Sequence, residues 1–249
     1  MPGFSLPEGW QILREEGAGI LQAPACLDAF RDQARLCGAE LRFQQRAGTW
    51  RQRAGGVVVD IEDQQVSAAK IVLALGPWAC DRAAGLNLPL IPRRIPVVYY
   101  NTARPEAYRA DDFPVYFWAT PEGVFAGKPH IDGLGAMLVR HDDGDTDPVG
   151  TVRRVVTEED IATLSNFAGR YVPGLNGGIR SAHICLYTMT PDNHFILDRH
   201  PNFNDIILAT GFSGHGFKFA PVVGEILADL ALDGRTDYPV GFWSAARFA

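Results

Sequence analysis

The chain has 249 residues, 47% of them hydrophobic, and a formal net charge of −6. That apolar content supplies a sizeable core for a single two-lobed unit or two small domains and argues against a disordered tail. The acidic balance leaves no basic footprint for nucleic acid or an anionic membrane surface, no apolar run approaches a spanning helix, and the first residues lack the basic-then-apolar order of a secretory signal, so a cytoplasmic protein is expected.

In chain order, Cys26 to Cys37 reads as an amphipathic helix with Leu27, Phe30, Ala34 and Leu36 on its apolar side and Gly38 as a stop. Short β-rich runs follow at Ala39 to Phe43, Val57 to Ile61 and Ile71 to Leu75. Pro89, Pro92 and Pro96 then punctuate the chain. Beyond them Val97 to Asn101, Val115 to Ala119, Val124 to Ala126 and Ala136 to Arg140 predict strands without intervening helices, hence a largely antiparallel sheet. His141-Asp142-Asp143-Gly144-Asp145 has the start of a calcium-loop spacing but lacks the later ligand positions and the terminal glutamate, so an EF-hand is rejected. Thr157-Glu158-Glu159-Asp160 opens a helix with a threonine cap and carboxylates facing the positive dipole end, and Ile161, Leu164, Phe167 and Ala168 form its apolar side. Those acids are read as a solvated, dipole-compensating cluster with no catalytic role. Cys26, Cys37, Cys80 and Cys185 show no C-x-x-C spacing, so reduced thiols are expected and no metal site is assigned.

Near the carboxy terminus, Ile206-Ile207-Leu208-Ala209 predicts a short buried strand, and Val222, Val223, Ile226, Leu227, Leu230 and Leu232 fall at helical spacing. Between them stands Thr210-Gly211-Phe212-Ser213-Gly214-His215-Gly216-Phe217-Lys218, a glycine-punctuated turn. Glycine lets backbone approach a ligand closely, and the helix start beyond it offers unpaired N–H groups with partial positive charge. Such a turn suits an anion or an electron-rich ring edge. Taken by itself, it equally describes a tight strand-to-helix turn without a ligand.

Cys185-Leu186-Tyr187-Thr188-Met189-Thr190-Pro191-Asp192 and His194-Phe195-Ile196-Leu197-Asp198 precede that turn, and Ile71-Val72-Leu73-Ala74-Leu75-Gly76-Pro77-Trp78 lies far upstream. Together these stretches resemble the monomeric sarcosine oxidase and N-methyltryptophan oxidase family, FAD enzymes that oxidise secondary amino acids. The resemblance implies an α+β or mixed α/β fold. An incomplete FAD-binding lobe, 21–91 and 183–249, would be interleaved with a mainly antiparallel substrate lobe, 1–20 and 92–182. It further implies oxidation of the CH–NH group of a small amine or amino acid, with hydride transfer to the flavin. The family opens with a G-x-G-x-x-G turn that holds the FAD pyrophosphate, and Met1 to Trp10 contains no such spacing. A truncated or split form is therefore expected, one that binds FAD weakly alone and whose flavin site is completed by a partner chain or oligomer.

Residue by residue, the resemblance makes Cys185 a candidate covalent tether to FAD. It puts Gly211, Phe212, Gly214, His215, Gly216, Phe217 and Lys218 against the cofactor. Lys218 matches a lysine that helps bind the substrate carboxylate, Tyr187 is a phenolic donor from the Cys185 strand, and His141 matches an active-site histidine. Met137 stands where the oxidases carry a lysine associated with activating oxygen, and a thioether offers no charge to stabilise developing superoxide. Lys128, on a neighbouring strand, is a substitute cation whose place the sequence does not fix. The competing expectation is a non-catalytic scaffold or binding subunit without cofactor.

Overall fold

The computed structural model describes residues 3–82, 85, 87–131 and 133–248, and the chain divides into two compact units. One comprises Met1–Ile20 and Pro92–Leu186, the other Leu21–Ile91 and Tyr187–Ala249. The fold is mixed α/β with antiparallel sheets, as the sequence predicts.

The second unit begins with α1 (Ala23–Leu36), which has a proline in its first turn and stops at Gly38 with φ +87°. The predicted apolar side forms but stays uncovered: no residue of α1 is buried, and Leu27, Phe30 and Leu36 are all exposed. Ala39 to Phe43 is not a strand. The pairing instead falls on Ala47–Arg53 (β1), Gly56–Ile61 (β2) and Gln64–Ala68 (β3), an antiparallel three-stranded sheet. No period-two signal in the sequence marks β1 or β3, because both are mostly polar and exposed. Ala54-Gly55 turns the first hairpin, and a Cβ at Gly56 would strike the Ala68 carbonyl oxygen. Ile71–Leu73 (β4), a 3-10 turn at Gly76–Trp78 and the short α2 (Ala79–Arg82) follow.

Ile91–Tyr100 (β5), Tyr116–Thr120 (β6), Gly123–Lys128 (β7), Ala136–Arg140 (β8), Glu158–Tyr171 (α3) and Ile179–Met189 (β9) come next. The sheet order is β6-β7-β8-β5-β9, and β6–β7, β7–β8 and β5–β8 pair antiparallel. Pro92 and Pro96 lie inside β5 instead of bounding it. Pairing with β8 covers only Val97 to Tyr100, so neither proline falls where β8 needs an N–H. One sheet face packs on α3: Val98, Tyr100, Tyr116, Trp118, Phe125 and Leu138 meet Leu164, Phe167, Ala168 and Tyr171. The Phe125 and Phe167 rings stack at 4.0 Å.

The helix α3 starts as its sequence predicts, with a reciprocal capping box in which the Asp160 N–H donates to Thr157 Oγ1 and the Thr157 N–H donates to Asp160 Oδ2. Asp160 is not merely a solvated dipole partner, however. Its carboxylate receives both Arg94 Nη1 and Nη2, at 2.9 and 2.6 Å, and Arg94 is buried. The acids after His141 are also engaged: Asp142 and Asp143 pair with Arg140, and Asp145 with Arg153.

Ile196–His200 (β10), Phe203–Thr210 (β11) and Ala220–Leu232 (α4) complete the second unit. β10 and β11 form a hairpin, and β4 adds parallel to β11. Val223, Ile226 and Leu230 of α4 pack on Phe195, Leu197, Ile207 and Ala209. This is the predicted strand, turn and helix, with the turn at the carboxyl end of β11.

Candidate functional site

Gly211, Ser213 and Gly214 leave β11 with φ of +66°, +47° and +82°. Ser213, the one residue of the three with a side chain, is pinned there: its N–H donates to the Thr188 carbonyl at 2.9 Å, and its hydroxyl donates to the Gly211 carbonyl while accepting the Thr190 N–H. A Cβ at Gly214 would land in the Tyr187 ring, one at Gly211 would lie 2.5 Å from Thr190 Cγ2, and one at Gly216 would lie 2.6 Å from Phe212 Cβ. Close approach to protein side chains thus requires glycine at each position. The side chains of Phe212 and His215 turn inward. Both rings pack on Phe195, and His215 Nε2 sits 3.0 Å from the Asn193 carbonyl.

What the turn leaves unused is a set of donors. The amides of Phe212, Gly214 and Gly216 donate to nothing among the described residues, and no acid occurs between Thr210 and Phe219. Phe217 and Lys218 form the 3-10 turn that runs into α4, and the Lys218 ammonium lies 5.6 Å from the Phe219 ring centroid with no carboxylate partner among the described residues. Thr210 Oγ1, just before the turn, is buried without a hydrogen-bond partner among the described residues. Unpaired amides and a cation with no counter-charge favour a negative or electron-rich group. Cys185 stands two residues before Tyr187 on β9, in the other unit; burial pushes its thiol pKa up, so it is a neutral thiol near neutrality.

The two acids in the upstream motif do structural work. Asp192 accepts Arg247 Nε and Nη2 and the His194 N–H, and the Arg247 bonds hold its carboxyl well below the usual range. Asp198 accepts the Ser244 hydroxyl and the Ala245 N–H. Both clamp the segment after α4 onto the β10 hairpin. Among the described residues no group of His, Cys, Asp and Glu could hold a metal ion.

His141 lies in the first unit, immediately after β8, with its N–H on the Val124 carbonyl and its ring 6.1 Å from Phe117. Met137 precedes it on the sheet face away from α3. Lys128 stands directly opposite Met137, and Tyr99 opposite Met137 on the other side. The Lys128 ammonium lies 5.5 Å from the Tyr99 ring centroid, and that ring stacks on His183 at 5.8 Å. Tyr99 and His183 were missed by sequence reasoning; only the register, which no motif encodes, shows that they join Lys128.

The sequence matches the FAD dependent oxidoreductase family over residues 2–230. The chain belongs to this family. It is 33% identical over 250 residues to monomeric sarcosine oxidase from Bacillus sp. (strain B-0618), an alignment covering 99% of this chain and 64% of that protein. It is 36% identical over 243 residues to the monomeric sarcosine oxidase of Streptomyces avermitilis, covering 95% and 63%. Glycine oxidase from Geobacillus kaustophilus shares the fold, with a TM-score of 0.75 and 23% identity over 90% of this chain and 58% of that one. The chain therefore spans somewhat less than two thirds of the length of these relatives. Its glycine turn fits the cofactor named by the family. Three amides without an acceptor among the described residues, a neighbouring cation and the absence of acid provide donor chemistry suited to an electron-rich ring.

Proposed function

We propose that this chain carries the substrate-binding sheet and part of the flavin-binding surface of an oxidoreductase that uses FAD to oxidise the CH–NH group of a secondary amine or amino acid. The observation that carries the reading is the turn from Gly211 to Gly216, with unpartnered amides leading directly to Lys218 and α4. Leu21–Ile91 with Tyr187–Ala249 is the flavin lobe, and Met1–Ile20 with Pro92–Leu186 the substrate lobe. Bound FAD supplies the two-electron acceptor. In the flavin lobe the amides of Phe212, Gly214 and Gly216 oppose negative charge, Lys218 holds the substrate carboxylate as a point cation and Tyr187 supplies a phenolic hydrogen bond; in the substrate lobe His141 is the candidate hydrogen-bonding residue. The half-buried rings of Phe212 and His215, packed on Phe195, fix the shape of the turn, Phe217 opens the 3-10 turn beyond it, and Cys185 is the candidate tether. All four cysteines are free, which supports a reducing, cytoplasmic location. No helix among the described residues is long and apolar enough to cross a membrane.

The test is anaerobic reduction. With FAD bound, N-methyl amino acids should bleach the oxidised flavin band, and Lys218→Met should weaken apparent substrate affinity about tenfold, the worth of one charge-assisted hydrogen bond. A flavin-loaded protein that no primary or secondary amino acid reduces would instead be a scaffold.

A further inference from the structure

The sheet face of the first unit opposite α3 carries a row that the proposed reaction does not require: Lys128 on β7, Met137 on β8, Tyr99 on β5 and His183 on β9. Lys128 reaches Tyr99 from two strands away, so its stem crosses beside Met137, and its ammonium comes to rest over the phenol ring. Tyr99 is fixed from the other side by the His183 ring, stacked at 5.8 Å and 27°.

We infer that this row reads a second negative group on the substrate, which places the substrate among amino acids that bear an additional carboxylate. Lys128, Tyr99 and His183 present an ammonium, a phenolic O–H and an imidazole N–H. None has a hydrogen-bond or ion-pair partner among the described residues. Lys128, Met137 and Tyr99 are half buried and His183 is exposed on the edge strand, so the ammonium and the phenol stand on partly desolvated ground, where a charge-assisted bond to a carboxylate is stronger than in open water. The aromatic platform positions the ammonium without neutralising it, because the ring quadrupole attracts the cation but leaves its N–H groups free to donate. Met137 contributes no charge of its own, so the Lys128 ammonium is the formal cation of this row. The inference rests on the reading of Met1–Ile20 and Pro92–Leu186 as the substrate lobe.

Calorimetric titration of the whole chain with N-methyl-L-aspartate and with N-methyl-L-alanine tests it without requiring turnover. The wild type should prefer the diacid. Lys128→Met should lower the preference for aspartate over alanine about tenfold, and Lys128→Arg should keep most of it. Raising salt should weaken the aspartate complex more than the alanine complex. An unchanged preference in Lys128→Met, or no binding of N-methyl-L-aspartate by the wild type, overturns the inference. Lys128-dependent binding of the diacid without flavin reduction would sink the proposed reaction and leave the anion site standing. Reduction by N-methyl amino acids with no Lys128-dependent preference would do the reverse.

Discussion

Gly214 has two independent reasons to be glycine. Its φ of +82° is a conformation that side-chain-bearing residues adopt at a cost, and the space a Cβ would need is filled by the Tyr187 ring. Gly224 is the opposite case: it lies within α4, with no positive φ and open space where a Cβ would stand. Gly214→Ala should therefore lose about 2 kcal/mol or more and weaken FAD binding, because the turn cannot keep its backbone path. Gly224→Ala should gain about 0.5–1 kcal/mol from lower unfolded-state entropy. Urea titrations of the two variants check this, and equal effects would contradict the geometry of the turn. The need for glycine was legible in sequence; its cause was not. Sequence alone points to close approach of a ligand, whereas the nearest atoms are those of Tyr187, Thr190 and Phe212, and only the unpaired amides remain for a cofactor.

At the scale of elements, legibility followed local periodicity. The helices α3 and α4 were readable because a cap and a 3.6-residue apolar pattern lie within each one's own sequence, and β8 because it is apolar and bounded by glycine and charge. Strands β1 and β3 were not, since a polar hairpin is defined by its partner strand. Nor could sequence pair Arg94 with Asp160: the contact depends on β5 and α3 meeting through tertiary packing. That pair has a pH signature. Burial alone would raise the Asp160 carboxyl, but Arg94 and the Thr157 N–H and hydroxyl outweigh it and hold the group at about 2 against an ordinary 3.8. A depressed carboxylate stabilises the fold above its unfolded value and loses that contribution as pH falls through the folded one. The wild type should lose about 2 kcal/mol between pH about 4 and about 2 from this group. Arg94→Met should cost about 3 kcal/mol at neutral pH, because it strands a partly buried carboxylate and two backbone carbonyls, and should flatten the acid dependence. Denaturation midpoints measured across pH would show a parallel acid loss in both proteins if the pair were not responsible.

For the whole molecule, the open question is what covers α1. Its sequence is that of a helix made to be packed, yet none of its residues is buried, and Leu36 remains 79% exposed. A helix of this length is marginal in water without tertiary packing. The β11–β4 pair carries the same implication, since parallel strands belong in sheets covered on both faces, and Val72 on β4 is exposed. Burying Leu27 and Phe30 alone would contribute about 4 kcal/mol per copy toward association. Sedimentation velocity should show the purified chain associating as concentration rises, and Leu27→Asp combined with Phe30→Asp should return it to monomer with α1 frayed in hydrogen exchange. Covering α1 with a partner should protect its amides and tighten FAD binding together, because the same unit contains the glycine turn. A wild-type chain that stays monomeric at all concentrations, with α1 amides already protected, would show that the helix stands without a cover.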